Sequence, residues 1–175
     1  CSCAGGSLDI ARTRAERYSY PAALPEVEAA PVATDLARRD FTINAMALEL
    51  NGAARGTLID PYGGVADLDA RLLRGLHTET FRDDPTRILR LARYAARLDF
   101  GIEHETHTLA RRDSAFLAAA SPARITHELA RTCLESRPEQ SFHPLQQLGK
   151  LTSLSPPFQV CETPGAVLER LRADG

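Results

Sequence analysis

Residues Asp35–Leu50 read DLARRDFTINAMALEL, a charged segment followed by an apolar one. Asp35 is a favourable helix N-cap, and the charged residues after it predict a short turn. From Phe41 onward, β-branched and apolar residues favour a strand. Arg38 and Arg39 would then lie at the mouth of that strand, where guanidinium groups can bind an anion. The alternative is a solvated charged turn beside a core strand.

Upstream of this stretch, the sequence predicts little regular structure. Leu8–Ile10 alternates apolar, acidic and apolar residues, which is typical of a strand with one buried face, and Asp9 then points away from that face. Thr13–Pro25 contains two tyrosines and two prolines and is expected to be an irregular loop. Glu26–Ala33 is interpreted as a polar, alanine-rich connection.

Downstream, the pattern changes from strands to helices. Asn51-Gly52 predicts a hairpin leading to a strand at Thr57–Ile59, and a short helix is expected from Val65 to Leu72. A longer helix should begin at Asp83 or Asp84, with Pro85 in its first turn and an apolar stripe facing the core. Its expected end is at Gly101. Further helices are predicted at His104–Ala119, from Ser121-Pro122, around Leu145–Leu151 and at Pro164–Arg172.

Three arginines on the long helix, Arg87, Arg90 and Arg93, follow one another at steps of three. This spacing places them on one slanting row beside the apolar stripe. Asp83 and Asp84 can neutralise Arg87, but no carboxylate stands three or four positions from the other two on the helix. We therefore expect this row of arginines to pair with an anion outside the helix; the alternative is that the row forms a solvated face of the helix.

The composition is that of an ordinary globular protein. The chain has 175 residues with 43% apolar and 25% charged content and a net charge of −2, so it is not a generally basic nucleic-acid binder. No apolar run approaches a membrane span, and no signal peptide is visible. Four cysteines form neither a zinc spacing nor a disulfide framework, which favours a cytoplasmic setting.

The stretch DLARRDFTINAMA resembles class II RNA nucleotidyltransferases, which include the tRNA CCA-adding enzymes and bacterial poly(A) polymerases. Three more segments follow in family order: LDIARTRAERY at Leu8–Tyr18, LIDPYGGVADLDARLLR at Leu58–Arg74, and FRDDPTRILRLARYAARLDF at Phe81–Phe100. The resemblance extends from Gly5 to Thr132 and thins beyond it.

The resemblance implies roles for particular residues. Asp84 and Arg87 match the pair that hydrogen-bonds the Watson–Crick edge of the incoming cytosine or adenine. A carboxylate accepts from an exocyclic amino group, while a guanidinium donates to a ring nitrogen or carbonyl. The family often has Glu-Asp where this chain has Asp83-Asp84, which puts in doubt how Arg87 is held. Three arginines match the nucleotide site and are assigned to phosphate or ribose: Arg39, Arg90 and Arg93.

Asp9 matches the third catalytic carboxylate of the family and is the expected metal ligand. Such enzymes hold two Mg²⁺ ions that orient the attacking 3′ hydroxyl and stabilise the leaving pyrophosphate. The family supplies the main metal pair as Asp-x-Asp after a GGxVRD segment, and neither precedes Asp9 in this sequence. The chain alone is therefore predicted to be inactive. Asp67 and Asp69 imitate a metal pair but stand where the family has a turn and helix, so we interpret them as surface carboxylates.

The sequence thus predicts an α+β fold in three parts. Residues 1–79 are expected to form part of a nucleotidyltransferase head with an antiparallel or mixed sheet, residues 80–138 a helical neck, and residues 139–175 the start of a helical body. The implied function is addition of CCA, or of C or A, to a tRNA 3′ end from CTP and ATP. The alternatives are a poly(A), CC-only or A-only polymerase, a non-catalytic nucleotide- or RNA-binding remnant, and a scaffold without a ligand.

Overall fold

The computed structural model describes the backbone of residues 2–3 and 6–7, and all of residues 10–148 except the side chain of Gln146. Its helices are α1 (Val32–Ala37), α2 (Gly64–Asp69), α3 (Thr80–Asp83), α4 (Arg87–Leu98), α5 (His104–Asp113), α6 (Pro122–Cys133) and α7 (Glu139–Leu148), with 3₁₀ segments at Thr42–Asn44 and Ser114–Ala119. Its strands are β1 (Ser2–Cys3), β2 (Gly6–Ser7), β3 (Arg14–Arg17), β4 (Glu26–Ala29), β5 (Ala47–Leu48), β6 (Leu58–Ile59), β7 (Leu72–Leu73) and β8 (Gly101–Ile102). The predicted helix at Pro164–Arg172 lies outside the described residues.

The strands form four short pairs rather than one continuous sheet. Three pairs are antiparallel: β1 with β2, β3 with β4, and β5 with β6. The fourth, β7 with β8, is parallel, and α3 and α4 lie between its two strands in the chain. These small mixed pairings together with the helices confirm the predicted α+β class.

The apolar core is built on α4, which packs most extensively against α7. The predicted stripe is confirmed because Ile88, Leu91 and Ala92 are almost fully buried. Phe41 and Phe81 join them from the preceding segments with no exposed surface. Each such large apolar side chain contributes about 1.5–3 kcal/mol on burial. The core therefore fixes the orientation of α4 and, with it, the direction in which the arginine row points.

The predicted strand from Phe41 onward is wrong at its start. Phe41 forms only an isolated antiparallel bridge with Gly75, Thr42–Asn44 forms a 3₁₀ turn, and the strand β5 begins at Ala47. Polar side chains explain the turn: Asp40 accepts from the Asn44 amide group at 3.0 Å, and Thr42 donates to Asp67 at 2.7 Å. The predicted hairpin is confirmed as β5–β6, with Gly52 at φ +75°, although the connection is much longer than two residues.

Three predictions around the opening stretch are corrected. Asp35 does not cap a helix but lies inside α1, where its buried carboxylate accepts hydrogen bonds from neighbouring arginines. The predicted loop and connection contain the antiparallel pair β3–β4, which is largely exposed and so shows no apolar alternation. Ile10 is 77% exposed and in no strand; Leu8 and Asp9 lie outside the described residues.

The predicted start of the long helix at Asp83 or Asp84 is wrong, because α3 ends at Asp83 and α4 begins at Arg87. Asp84 is extended, at φ −137° and ψ 93°, between α3 and α4. Pro85 disfavours helical backbone at the residue before it, which accounts for the break. The helix ends earlier than Gly101, because Asp99 adopts the left-handed conformation at φ 56° that commonly terminates helices. The next predicted helix also ends early, changing to a 3₁₀ segment at Ser114.

Candidate functional site

A cleft of about 710 Å³ opens between the β3–α1 region on one side and α4 and α6 on the other. Six arginines and one histidine line it, together with four carboxylates. Positive charge therefore exceeds negative charge, while both donors and acceptors are present. Such a surface suits a ligand that is anionic at one end and carries a polar edge at the other.

The outer edge of the cleft is organised by Asp35. Its carboxylate accepts from Arg38 Nη2 at 2.7 Å, from Arg39 Nη2 at 2.6 Å and from the Arg14 amide at 3.1 Å. Burial opposes ionisation, but the hydrogen bonds from Arg39 and Arg38 prevail and lower the pKa of Asp35 to about 2. The guanidinium of Arg39 is thereby held at the cleft while 43% of its side chain stays exposed.

We expect Asp35→Asn to destabilise the fold in a pH-dependent way. The folded-state pKa lies below the ordinary value of 3.8, so the stabilisation is complete above that value and is lost as the pH falls toward 2. Urea unfolding should show a loss on the order of 1 kcal/mol at pH 7, after screening of the half-exposed Arg39. The difference should shrink by about half near pH 3. Asp69→Asn, at an exposed residue, is the control; a pH-independent difference would contradict the assignment.

At the break between α3 and α4, the Asp84 carboxylate is held on one side only. Its Oδ1 accepts from the Thr86 amide at 2.9 Å, from Thr86 Oγ1 at 2.5 Å and from Arg124 Nη2 at 2.6 Å. No residue in the described part of the chain donates to Oδ2. Because the side chain lines the cleft, this second oxygen is an acceptor available to a ligand.

Arg87 is held by neutral oxygens. It is 5% exposed and donates to the Arg38 carbonyl at 2.6 Å and to Thr80 Oγ1 at 2.7 Å. The prediction that Asp83 or Asp84 neutralises it is wrong, because no carboxylate among the described residues comes within ion-pairing distance and Asp84 pairs with Arg124 instead. Its charge therefore stays uncompensated by a direct carboxylate at the wall of the cleft.

The other arginines of the row find their anions within the protein. Arg90 contacts Asp40 at 2.6 Å and Glu128 at 3.3 Å. Arg93, only 3% exposed, contacts Glu128 at 3.1 Å and Glu135 at 3.3 Å. Burial opposes ionisation of Asp40, but Arg90 and the Asn44 amide lower its pKa below the ordinary range. This network connects the opening stretch, α4 and α6 through charges.

Comparisons with known proteins agree along most of the chain. The family model described as "Poly A polymerase head domain" matches residues 1–74, and that described as "Probable RNA and SrmB- binding site of polymerase A" matches residues 99–161. An A-adding tRNA nucleotidyltransferase of Halalkalibacterium halodurans is 46% identical over 145 residues, which cover 81% of this chain and 34% of the relative.

The chain belongs to the class II nucleotidyltransferase family.

Two further relatives support this membership. A solved structure titled "The structure of CCA-adding enzyme apo form II" is 40% identical and superposes with a TM-score of 0.85, covering 98% of this chain and 41% of the other. A multifunctional CCA protein of Paracidovorax citrulli is 46% identical over 136 residues, covering 74% of this chain and 32% of the relative. The chain spans 34% of the length of the Halalkalibacterium relative and 32% of the Paracidovorax one.

The cleft brings together most of the nucleotidyltransferase residues that the sequence singled out. Arg39, Asp84, Arg87 and Arg90 all line it. Arg93 does not, because it lies behind Arg90 on the shared Glu128. Asp9 lies outside the described residues. The functional roles of these residues stay predictions, but four of the six occupy one surface.

Two further residues that the sequence analysis did not identify also line the cleft. Arg124 and Glu128 lie one turn apart on α6 and meet, respectively, the Asp84 carboxylate and the arginine row. The available signal in the sequence was a positive and a negative residue four positions apart, which places both on one face of a helix. It did not identify partners, because those are 35 to 40 positions away in sequence.

The interpretation of Asp67 as a surface carboxylate is wrong, because the side chain is buried and has a structural role. It accepts from Thr42 Oγ1 at 2.7 Å and from Arg74 Nε at 3.0 Å. These contacts tie α2 to the 3₁₀ turn and to the segment after β7. Asp69, by contrast, is exposed.

The family generally uses a divalent metal. Across residues 10–148, no group of three or more histidine, cysteine, aspartate or glutamate side chains is arranged to hold a metal ion. The donors present in this part of the chain therefore do not make up a metal site. In the same part of the chain, every helix is too short or too polar to traverse a bilayer.

Proposed function

We propose that this chain forms the nucleotide-selecting part of an enzyme that adds C, A or both to the 3′ end of tRNA, using CTP and ATP. The observation that carries the proposal is the cleft in which Asp84 and Arg87 stand beside Arg39 and Arg90. Relatives named A-adding tRNA nucleotidyltransferase and multifunctional CCA protein support it. So does a structure 37% identical, with a TM-score of 0.73, described as a tRNA nucleotidyltransferase complexed with a primer tRNA and an incoming ATP analog; the match covers 83% of this chain and 42% of that one.

Selection between bases follows from the acceptor and donor at the two positions. Asp84 Oδ2 can accept from the exocyclic amino group that cytosine and adenine share on their Watson–Crick edges. Uracil and guanine present a carbonyl oxygen there, which would face the carboxylate unfavourably. Arg87 supplies donors for a ring nitrogen or carbonyl. Its anchoring to the Arg38 carbonyl limits its movement when a base arrives.

In this proposal, the remaining arginines bind the phosphates and the ribose of the nucleotide. Arg39 is the most exposed of the three and meets the phosphates. Arg90 faces the cleft while paired with Asp40 and is assigned to ribose or phosphate. Arg93 enters indirectly, because it shares Glu128 with Arg90 and so holds that carboxylate in place.

We also propose that the chain has three parts: a partial head over residues 1–79, a helical neck over residues 80–138 and the start of a helical body from residue 139. Mg²⁺ is the expected metal, with Asp9 as one of its ligands. The described residues do not by themselves form its site. The cytoplasmic setting stays a prediction.

The 175-residue chain by itself is expected not to extend RNA. An Asp-x-Asp pair does not precede Asp9 in it, and one carboxylate cannot position the two Mg²⁺ ions of nucleotidyl transfer. Incubation of the purified chain with labelled CTP, Mg²⁺ and a tRNA that lacks its 3′ end should give no incorporation above the protein-free control. Robust labelling would show that the chain carries a complete catalytic site.

Binding separates the proposed function from its alternatives. The dissociation constants of CTP, ATP, UTP and GTP for the 175-residue chain can be measured by calorimetric titration. Selection by Asp84 and Arg87 predicts tighter binding of CTP and ATP than of UTP and GTP. Preference for ATP alone would favour an A-only or poly(A) enzyme, and preference for CTP alone a CC-only enzyme. Equal binding of all four would favour a non-selective remnant, and no binding a scaffold.

A further inference from the structure

Arg124 is the one residue of α6 that contacts the Asp84 carboxylate among the described residues. Its Nη2 lies 2.6 Å from Asp84 Oδ1, and its Nη1 donates to the Ala22 carbonyl at 3.3 Å. The two contacts use both terminal nitrogens, so the planar guanidinium is fixed in orientation as well as in position. Its side chain is 22% exposed and lines the cleft.

The helix that carries Arg124 is held in place by a separate contact. One turn further along α6, the buried Glu128 accepts from Arg90 and Arg93 at 3.3 and 3.1 Å. Because this second contact anchors α6 against α4, Arg124 cannot simply follow a displaced Asp84. The guanidinium thus imposes a position on the carboxylate.

The Ala22 carbonyl is a stable second anchor. Ala22 lies in the connection between β3 and β4, is 8% exposed, and adopts φ +64°. Its amide donates to the Arg82 carbonyl at 3.0 Å, which fastens this connection to α3. Arg124 therefore joins two segments, the β3–β4 connection through the Ala22 carbonyl and the residue between α3 and α4 through the Asp84 carboxylate.

We propose that Arg124 is a positioning residue for base selection. Three donors converge on Asp84 Oδ1, and Arg124 is the charged one among them. With Oδ1 saturated, Oδ2 is directed to the base as a pure acceptor. Without Arg124, only the two donors of Thr86 hold Oδ1, and the carboxylate is less firmly fixed about its Cβ–Cγ bond. This proposal rests on the proposed function, in which Asp84 reads the amino group of the base.

The test compares CTP and UTP dissociation constants for the 175-residue chain and its variants. Arg124→Ala should lower the UTP/CTP ratio of dissociation constants about three- to tenfold, less than removal of Asp84 itself. Arg124→Lys keeps the charge but not the two-pronged geometry and should restore only part of the ratio. Arg131→Ala, at an exposed arginine of the same helix, is the matched control and should leave the ratio unchanged.

A double variant distinguishes the positioning role of Arg124 from the proposed function on which it rests. If Arg124 acts through Asp84, adding Arg124→Ala to Asp84→Ala should change the ratio less than about twofold further. A ratio that moves with Asp84→Ala but not with Arg124→Ala would overturn the positioning role and leave the proposed function intact. A ratio that moves with neither would overturn both. Equal, additive changes would mean that Arg124 contacts the base independently.

Discussion

Replacing Asp84 with asparagine is expected to turn the preference of the chain from CTP toward UTP. The donors from Thr86 and Arg124 surround Oδ1, so the asparagine carbonyl must take that place. The amide nitrogen then occupies the Oδ2 position and presents donors where the aspartate presents an acceptor. A donor there opposes the cytosine amino group and suits the uracil carbonyl. Each good contact contributes about 1–3 kcal/mol of discrimination, or roughly five- to 150-fold in the ratio.

Asparagine also separates base selection from helix capping. Asparagine and aspartate are similar as caps, whereas alanine costs about 0.5–2 kcal/mol. If Asp84 only supports the start of α4, both variants should leave the CTP/UTP ratio unchanged, and Asp84→Ala should lower the melting temperature more than Asp84→Asn, which loses only the charge that faces Arg124. Asp83→Asn, next along the chain but outside the cleft, controls for loss of one negative charge. A ratio that is the same in Asp84→Asn and in the unaltered chain would refute base reading.

Loss of Glu128 should have the largest effect on stability. Its buried carboxylate is shared by Arg90 and Arg93, and the latter is 3% exposed with its Nε already lacking a hydrogen-bond partner among the described residues. Glu128→Ala leaves these guanidiniums with less compensation in a poorly solvated place. Removing one partner of a buried ion pair typically costs about 3–5 kcal/mol. Urea unfolding at pH 7 measures this loss.

A matched control for Glu128 is available on α7. Glu139→Ala removes the same side chain where no ion pair is formed within the described residues, and its effect should stay within about 0.5 kcal/mol. Glu128→Gln keeps the shape and should fall between the two alanine variants. If Glu128→Ala matched Glu139→Ala, the network would be a surface arrangement that contributes little.

The sequence was most informative where structure is decided by near neighbours. The hairpin signalled by Asn51-Gly52 and the apolar stripe from Ile88 to Ala92 depend on local backbone preference and helical periodicity; both are confirmed, although the hairpin connection is longer than a two-residue turn. The turn at Thr42–Asn44 was predicted as a strand because its β-branched residues favour one. It folds otherwise because Asp67, 25 positions away, accepts from the Thr42 hydroxyl group.

The candidate site shows the same division. The family motifs identified four residues that all line the cleft: Arg39, Asp84, Arg87 and Arg90. The partners of those residues were not predictable from spacing. Arg90 pairs with Asp40, 50 positions away, and Asp84 pairs with Arg124 rather than with the nearby Arg87. Pairing of buried charges is set by how helices pack, which a local pattern does not contain.

The most direct test of the account is a crystal structure of the 175-residue chain with CTP. We predict the base in the cleft beside α4, with its amino nitrogen within about 2.7–3.2 Å of Asp84 Oδ2. Arg124 should still contact Oδ1, and the phosphates should lie toward Arg39. CTP bound elsewhere, or in the cleft with its amino group turned away from Asp84, would contradict the central claim that this carboxylate selects the base.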